Sequence, residues 1–74
     1  MLSNTKFKEI IGRNIREIRL KRNIAQEDLS AACSFSRTYI NLVETGKVIP
    51  SSYKVYLIAK VLRVTVDELY PQTV

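Results

Sequence analysis

Residues 26–44 read QEDLSAACSFSRTYINLVE. Leu29 and Ala32 share one face of a short helical run that begins near Gln26 and ends near Cys33. A polar break, Cys33-Ser34-Phe35-Ser36, interrupts it. Ile40 and Val43 then give a second run, starting at Arg37, its own inward stripe. Two amphipathic segments joined by so few residues have no room to lie antiparallel and must cross steeply. The spacing predicts a helix-turn-helix, in which the second helix can be presented to the DNA major groove.

The second run carries the sharper signal. With Arg37 at its start, steps of about 100° per residue turn Ile40 and Val43 inward. Arg37, Thr38, Asn41, Leu42 and Thr45 fall on the opposite side. Arginine pairs with guanine, asparagine with adenine, and threonine or leucine touches a thymine methyl. The same side chains also suit an ordinary solvated surface, and spacing alone leaves both readings open.

Size and composition narrow the classes. At 74 residues the chain is one domain, residues 1–74, near the lower limit for a self-sufficient core. It holds no histidine and a single cysteine, so it lacks material for a metal site, an internal disulfide or a thiol–imidazole pair. A carboxylate pair would need a cleft that so small a helical domain rarely encloses. The chain is therefore expected not to be an enzyme and to need no cofactor. Cys33, in an apolar context, is a small buried filler. No segment approaches the ~18 apolar residues of a membrane span, and no signal-peptide core opens the chain, which points to a cytoplasmic protein without a membrane partner. The formal charge is +5, and residues 1–24 carry all of it, with seven Lys/Arg against Glu9 and Glu17. An anionic partner suits that excess.

In chain order, residues 1–5 read as a loose arm. From Phe7 to about Arg22, the recurrence of Phe7, Ile11, Ile15 and Ile18 makes a helical stripe, with Lys8, Arg13, Arg16 and Lys21 on the remaining surface. Asn23 is the candidate left-handed residue at that helix end. Ala25 is a poor N-cap for the second helix, partly offset by Glu27 and Asp28 in its first turn. Ser36 is a candidate cap for the third helix, which ends near Thr45-Gly46. A loop through Pro50 leads to a fourth helix, Ser52 to Leu62, with Val55, Ile58, Ala59 and Leu62 inward. Tyr53, Leu57 and Val61 lie roughly opposite that stripe. A helix apolar on two faces in so small a domain favours self-association, with Tyr56, Val66 and Tyr70 bordering the patch. Thr65 caps a last turn that contains Val66, Leu69 and Tyr70, and Pro71 stops it.

With these residues placed, the chain resembles the phage-repressor and Cro-like (XRE) family of DNA-binding domains over about Ile11 to Tyr70. The matching pattern is Gly12-x-x-Ile15-Arg16-x-x-Arg19, Gln26-Glu27-x-Leu29, Ser36-Arg37-x-x-Ile40, Glu44-x-Gly46-Lys47-x-x-Pro50, Ile58-Ala59-x-x-Leu62 and Val66-Asp67-Glu68-Leu69. The resemblance implies an all-α, five-helix, lambda-repressor-like domain that binds double-stranded DNA. It implies base-facing positions at Arg37, Thr38, Asn41 and Leu42, and backbone contacts from Gln26 and Lys47, with Ser36, Tyr39, Thr45, Arg13 and Arg16 as further backbone candidates. Gln26 is expected to meet a phosphate and brace the start of the third helix. Arg19 and Glu44 correspond to a structural ion pair. The run Arg37-Thr38-Tyr39-Ile40 is also similar to controller proteins of restriction–modification systems. The sequence departs from the family where Ala25 replaces Thr or Ser, where Ser34 and Arg63 replace Gly, and where Leu42 replaces a polar residue.

The expectation is a homodimeric transcriptional regulator on a palindromic or pseudo-palindromic operator, without a small-molecule ligand. The rival reading, from another class, is an antitoxin-like protein-interaction module that keeps the fold without base readout. Arg37, Asn41 and Lys47 argue against it.

Overall fold

The computed structural model describes residues 2–72 and is all-helical over them. Its elements are α1 (Asn4–Lys21), α2 (Gln26–Ala32), α3 (Tyr39–Glu44), α4 (Ser52–Leu62) and a 3-10 helix, Val66–Glu68. The buried apolar side chains of all four α-helices, with Leu69, form one core. Each fully buried Leu, Ile or Val there contributes roughly 1.5–3 kcal/mol. α3 packs on α1 and α2, and α4 packs on α1, α2 and the 3-10 helix. Among the described residues no helix is long and apolar enough to cross a membrane.

Three local readings change. The expected arm is shorter than residues 1–5, since Asn4 and Thr5 are already helical: Ser3 Oγ accepts from Lys6 N–H at 3.1 Å, and this N-cap starts α1 at Asn4. Met1 lies outside the described residues. In α2 the inward residues are Leu29, Ser30 and the C-cap Cys33, while Ala32 is exposed. The buried arc is centred between Leu29 and Ser30, and Ala32 lies outside it. α3 starts at Tyr39, not Arg37, and Ser36 does not cap it. Arg37 and Thr38 form a turn in which Tyr39 N–H donates to Ser36 carbonyl at 3.2 Å. Thr38, at the cap position, is already near-helical (φ −99°, ψ −3°) and makes no side-chain cap bond.

The N-cap of α2 is Ala25, which is extended and makes no side-chain cap bond. α4 spans Ser52 to Leu62 as expected, with Ser51 Oγ accepting from Lys54 N–H at 3.2 Å. Its second apolar face is less open than the helical wheel suggests. Tyr53 and Tyr56 are 68% and 50% exposed, but Leu57 and Val61 are half-buried against the core because α4 has neighbours on several sides.

All four α-helices end the same way. The chain turns at a residue with positive φ: Asn23 (57°), Ser34 (60°), Gly46 (74°) and Arg63 (61°). The N–H of the next residue then reaches back to a carbonyl five residues earlier, at 3.1 Å for Ile24 to Arg19, 2.8 Å for Phe35 to Ser30, 2.9 Å for Lys47 to Leu42 and 3.0 Å for Val64 to Ala59. This is the Schellman closure, which satisfies the last helix carbonyls. Ser34 and Arg63 therefore adopt the conformation for which the family uses glycine, at a cost of about 1 kcal/mol each. Ile24, Phe35 and Val64, each just past such a turn, fold back half-buried onto the core.

Candidate nucleic-acid interface

α3 is split lengthwise. Ile40 and Val43 are fully buried, whereas Asn41 and Thr45 are exposed, as are Arg37 and Thr38 in the entry turn. Leu42 is half-buried, so it offers less surface than its position on the wheel suggests. The side chains that match base-facing positions thus form one open edge, whose backing is the core.

The C-terminal end of α3 is fixed from three directions. A Cβ on Gly12 of α1 would collide with the Val43 carbonyl oxygen and meet the Glu44 carbonyl oxygen at 2.9 Å. Only glycine allows α1 to lie directly on this backbone. Arg19 of α1 is 7% exposed and grips Glu44 with two bonds, Nε to Oε2 at 2.7 Å and Nη2 to Oε1 at 3.0 Å. Its third group, Nη1, donates to the Ile24 carbonyl at 2.8 Å, tying the α1–α2 turn to the same point. The Arg19–Glu44 pair is thus a scaffold contact, as its resemblance implied. Gln26 joins it: Nε2 donates to Glu44 Oε1 at 2.9 Å. Gln26 therefore braces the end of α3 and not its start, because Glu44 is the acceptor within reach. The amide retains a second N–H that can meet a phosphate oxygen.

Around this anchor the polar groups converge. Arg16, Gln26, Asn41 and Thr45 share one shallow depression with Arg19 and Glu44. Arg13, one turn earlier on α1, is exposed outside it. Lys47, just past the α3 closure, is exposed as well, and so is Ser36 in the entry turn. Thr45 is differently placed: its hydroxyl donates to the Asn41 carbonyl at 2.8 Å, so its single proton is already committed. Arg37 extends toward α2, where its Nη2 lies 3.6 Å from Glu27 Oε2. Both side chains are largely in water, so the pair adds little stability.

The N-terminal end of α3 carries an aromatic group that the periodicity did not reveal. Phe35 and Tyr39 meet edge to face with centroids 4.9 Å apart, and Lys54 Nζ of α4 sits 4.4 Å from the Tyr39 centroid. Burial pushes the Tyr39 phenol above its usual pKa, and like any tyrosine at neutral pH it carries a proton that it can donate to an anion. Phe35 and Tyr39 are four apart, but Phe35 lies in a turn and Lys54 is distant in sequence, so only the tertiary fold brings the three together.

The outer patch of α4 is uneven. Tyr53 and Tyr56 are open, and Lys60 Nζ lies 5.8 Å from the Tyr56 centroid. Leu57, Val61, Val66 and Tyr70 are half-buried. Tyr70 already stacks on Phe7, centroids 6.2 Å apart at 25°, so part of its ring is used within the chain.

Comparison with known proteins agrees with this geometry. A family model described as helix-turn-helix matches residues 15–69. The chain is 29% identical over 67 residues to an uncharacterized HTH-type transcriptional regulator, y4dJ, of Sinorhizobium fredii, an alignment covering 90% of this chain and 87% of that protein. Among solved structures it superposes on the restriction-modification controller protein C.AhdI from Aeromonas hydrophila with a TM-score of 0.82 at 27% identity, over 85% of this chain and 96% of that one. It shares its fold with the hypothetical transcription factor NHTF from Neisseria, with a TM-score of 0.85 at 22% identity over 96% and 82% of the two chains. The chain belongs to the helix-turn-helix family of DNA-binding transcriptional regulators.

Proposed function

We propose that this protein binds a palindromic or pseudo-palindromic operator as a homodimer and that α3 reads the bases. The observation that carries this is the division of α3, with Ile40 and Val43 sealed in the core, Asn41 exposed on the other side and Arg37 and Thr38 exposed in the entry turn. Arg37 and Asn41 pair with base edges, and Thr38 and Leu42 meet methyl groups. Gln26, Lys47, Arg16, Ser36 and Tyr39 hold phosphates around the reading edge and set its register. Arg13 serves a phosphate farther along the backbone. Thr45 contributes least, because it must first release the Asn41 carbonyl.

Dimerisation completes the reading. A twofold contact through Tyr53, Tyr56, Leu57 and Val61, edged by Val66 and Tyr70, covers the same patch on both subunits at once. It sets two reading helices about one DNA turn apart, roughly 34 Å. Leu57 also packs on its own core, so Tyr53→Glu, at a side chain 68% exposed, is the cleaner probe. This variant is expected to sediment as a folded monomer at tens of micromolar and to lose most operator affinity. A dimer with a normal helical spectrum would place the interface elsewhere.

Selection from a random DNA pool tests the function as a whole. Enrichment of a site with two symmetric half-sites is the expected outcome. A protein that enriches nothing, yet retains a protein partner, would favour the antitoxin-like interaction module.

A further inference from the structure

The start of α3 poses a physical problem that its end does not. A helix of six residues does not persist alone in water, so its orientation depends on the burial of Ile40 and Val43 and on what holds its two ends. The C-terminal end has the Gly12 contact, the Arg19–Glu44–Gln26 group and a Schellman closure. The N-terminal end has no side-chain cap. It is also the end that matters for reading, since Arg37 and Thr38 lie in the turn that enters it.

What meets this end is the aromatic pair with a cation on it. Phe35 and Tyr39 pack at an interplanar angle of 68°. Lys54 Nζ lies 4.4 Å from the Tyr39 centroid and 5.8 Å from the Phe35 centroid, within the range in which a ring face attracts a cation. Among the described residues Lys54 has no carboxylate partner. It is half-buried, so its stem covers apolar surface while its head remains on the rings. Its backbone is immobilised too, because its N–H is the one that Ser51 Oγ caps. A fixed stem on α4 therefore places a cation on the first residue of α3.

We propose that Lys54 is a positioning residue for DNA reading: its ammonium, seated on Tyr39 and beside Phe35, clamps the uncapped start of α3 and thereby sets Arg37 and Thr38 against the bases. This rests on the reading that α3 faces the base edges. Lys54 acts through Tyr39 and is not itself a base or phosphate ligand.

The test uses the intact protein with Lys54→Met, which keeps the stem and removes the charge, and Lys54→Arg, which keeps a cation able to stack on the rings. Dissociation constants are measured on a pool-selected operator and on a random duplex of equal length, across a salt series. Amide hydrogen exchange is followed at Tyr39, Ile40 and Asn41. Lys54→Met is expected to lose about tenfold on the operator and under about twofold on random DNA, with the salt slope on random DNA unchanged and faster exchange at the three amides. Lys54→Arg is expected to restore operator affinity. Equal losses on both duplexes, with the slope lowered by about one, would make Lys54 a plain phosphate contact and overturn the proposal. Unchanged operator affinity in Lys54→Met would overturn it as well. If the wild-type protein itself shows no preference between the duplexes, base reading by α3 fails. Exchange alone then decides the clamp: faster exchange in Lys54→Met upholds it and unchanged exchange removes it. Lys54→Gln repeats the series should the Met variant aggregate.

Discussion

The two ends of α3 are built on opposite principles. At its C-terminal end, α1 lies on bare backbone at Gly12, and a buried arginine–glutamate pair takes a third partner from Gln26. At its N-terminal end there is no cap, only a turn with exposed side chains and one aromatic–cation contact. The fixed contacts are concentrated at the C-terminal end, and the exposed side chains proposed to read bases lie toward the other. On the proposed reading, the C-terminal anchor sets the direction of the helix and the Lys54 contact places its entry turn.

That contrast is open to attack by substitution. The largest effect is expected at Arg19. Arg19→Ala strands Glu44, whose side chain is only 2% exposed, as an uncompensated buried charge. A loss of ~3–5 kcal/mol by chemical denaturation is expected, which is a large part of the stability that a domain of this size holds. Gly12→Ala comes next. The new methyl group meets backbone oxygen, which cannot rotate away, so about 1–3 kcal/mol should be lost despite the better helix propensity of alanine. A neutral Gly12→Ala in a thermal melt would mean that α1 does not lie on α3 as closely as described. At the opposite end, Thr38→Ala should change stability by no more than about 0.5 kcal/mol, since no cap bond is there to lose. A loss near 2 kcal/mol would show a cap at that end and erase the contrast.

How much of this was legible in the sequence depended on the kind of contact. The inward stripes of α1, α3 and α4 were, since Ile11, Ile15, Ile40, Val43, Val55, Ile58 and Leu62 recur at helical spacing and are all fully buried. Asn23 was legible as the left-handed residue because no glycine stood near that helix end. The Arg19–Glu44 pair came from family resemblance alone, as nothing in spacing joins residues 25 apart. Ala32 was misplaced because a seven-residue helix gives too few positions to fix the phase of its buried arc. The start of α3 was misjudged because Ser36 looks like a cap, whereas the entry turn spends Ser36's carbonyl on Tyr39 and leaves its side chain exposed. Lys54 and the Gln26–Glu44 bond could not be found at all without the tertiary fold, since both join side chains from separate helices.

Base reading by the exposed edge of α3 is tested most directly by Arg37→Ala. Among the described residues its one ion pair is the water-exposed one to Glu27, so removing it leaves the scaffold intact. Affinities are compared on a selected operator and on random duplex at one salt concentration. The expected result is a loss of ~1–3 kcal/mol on the operator, with preference relaxed at one base pair per half-site and a much smaller loss on random DNA. Equal losses on the two duplexes would contradict base reading by Arg37 and reduce it to a phosphate contact.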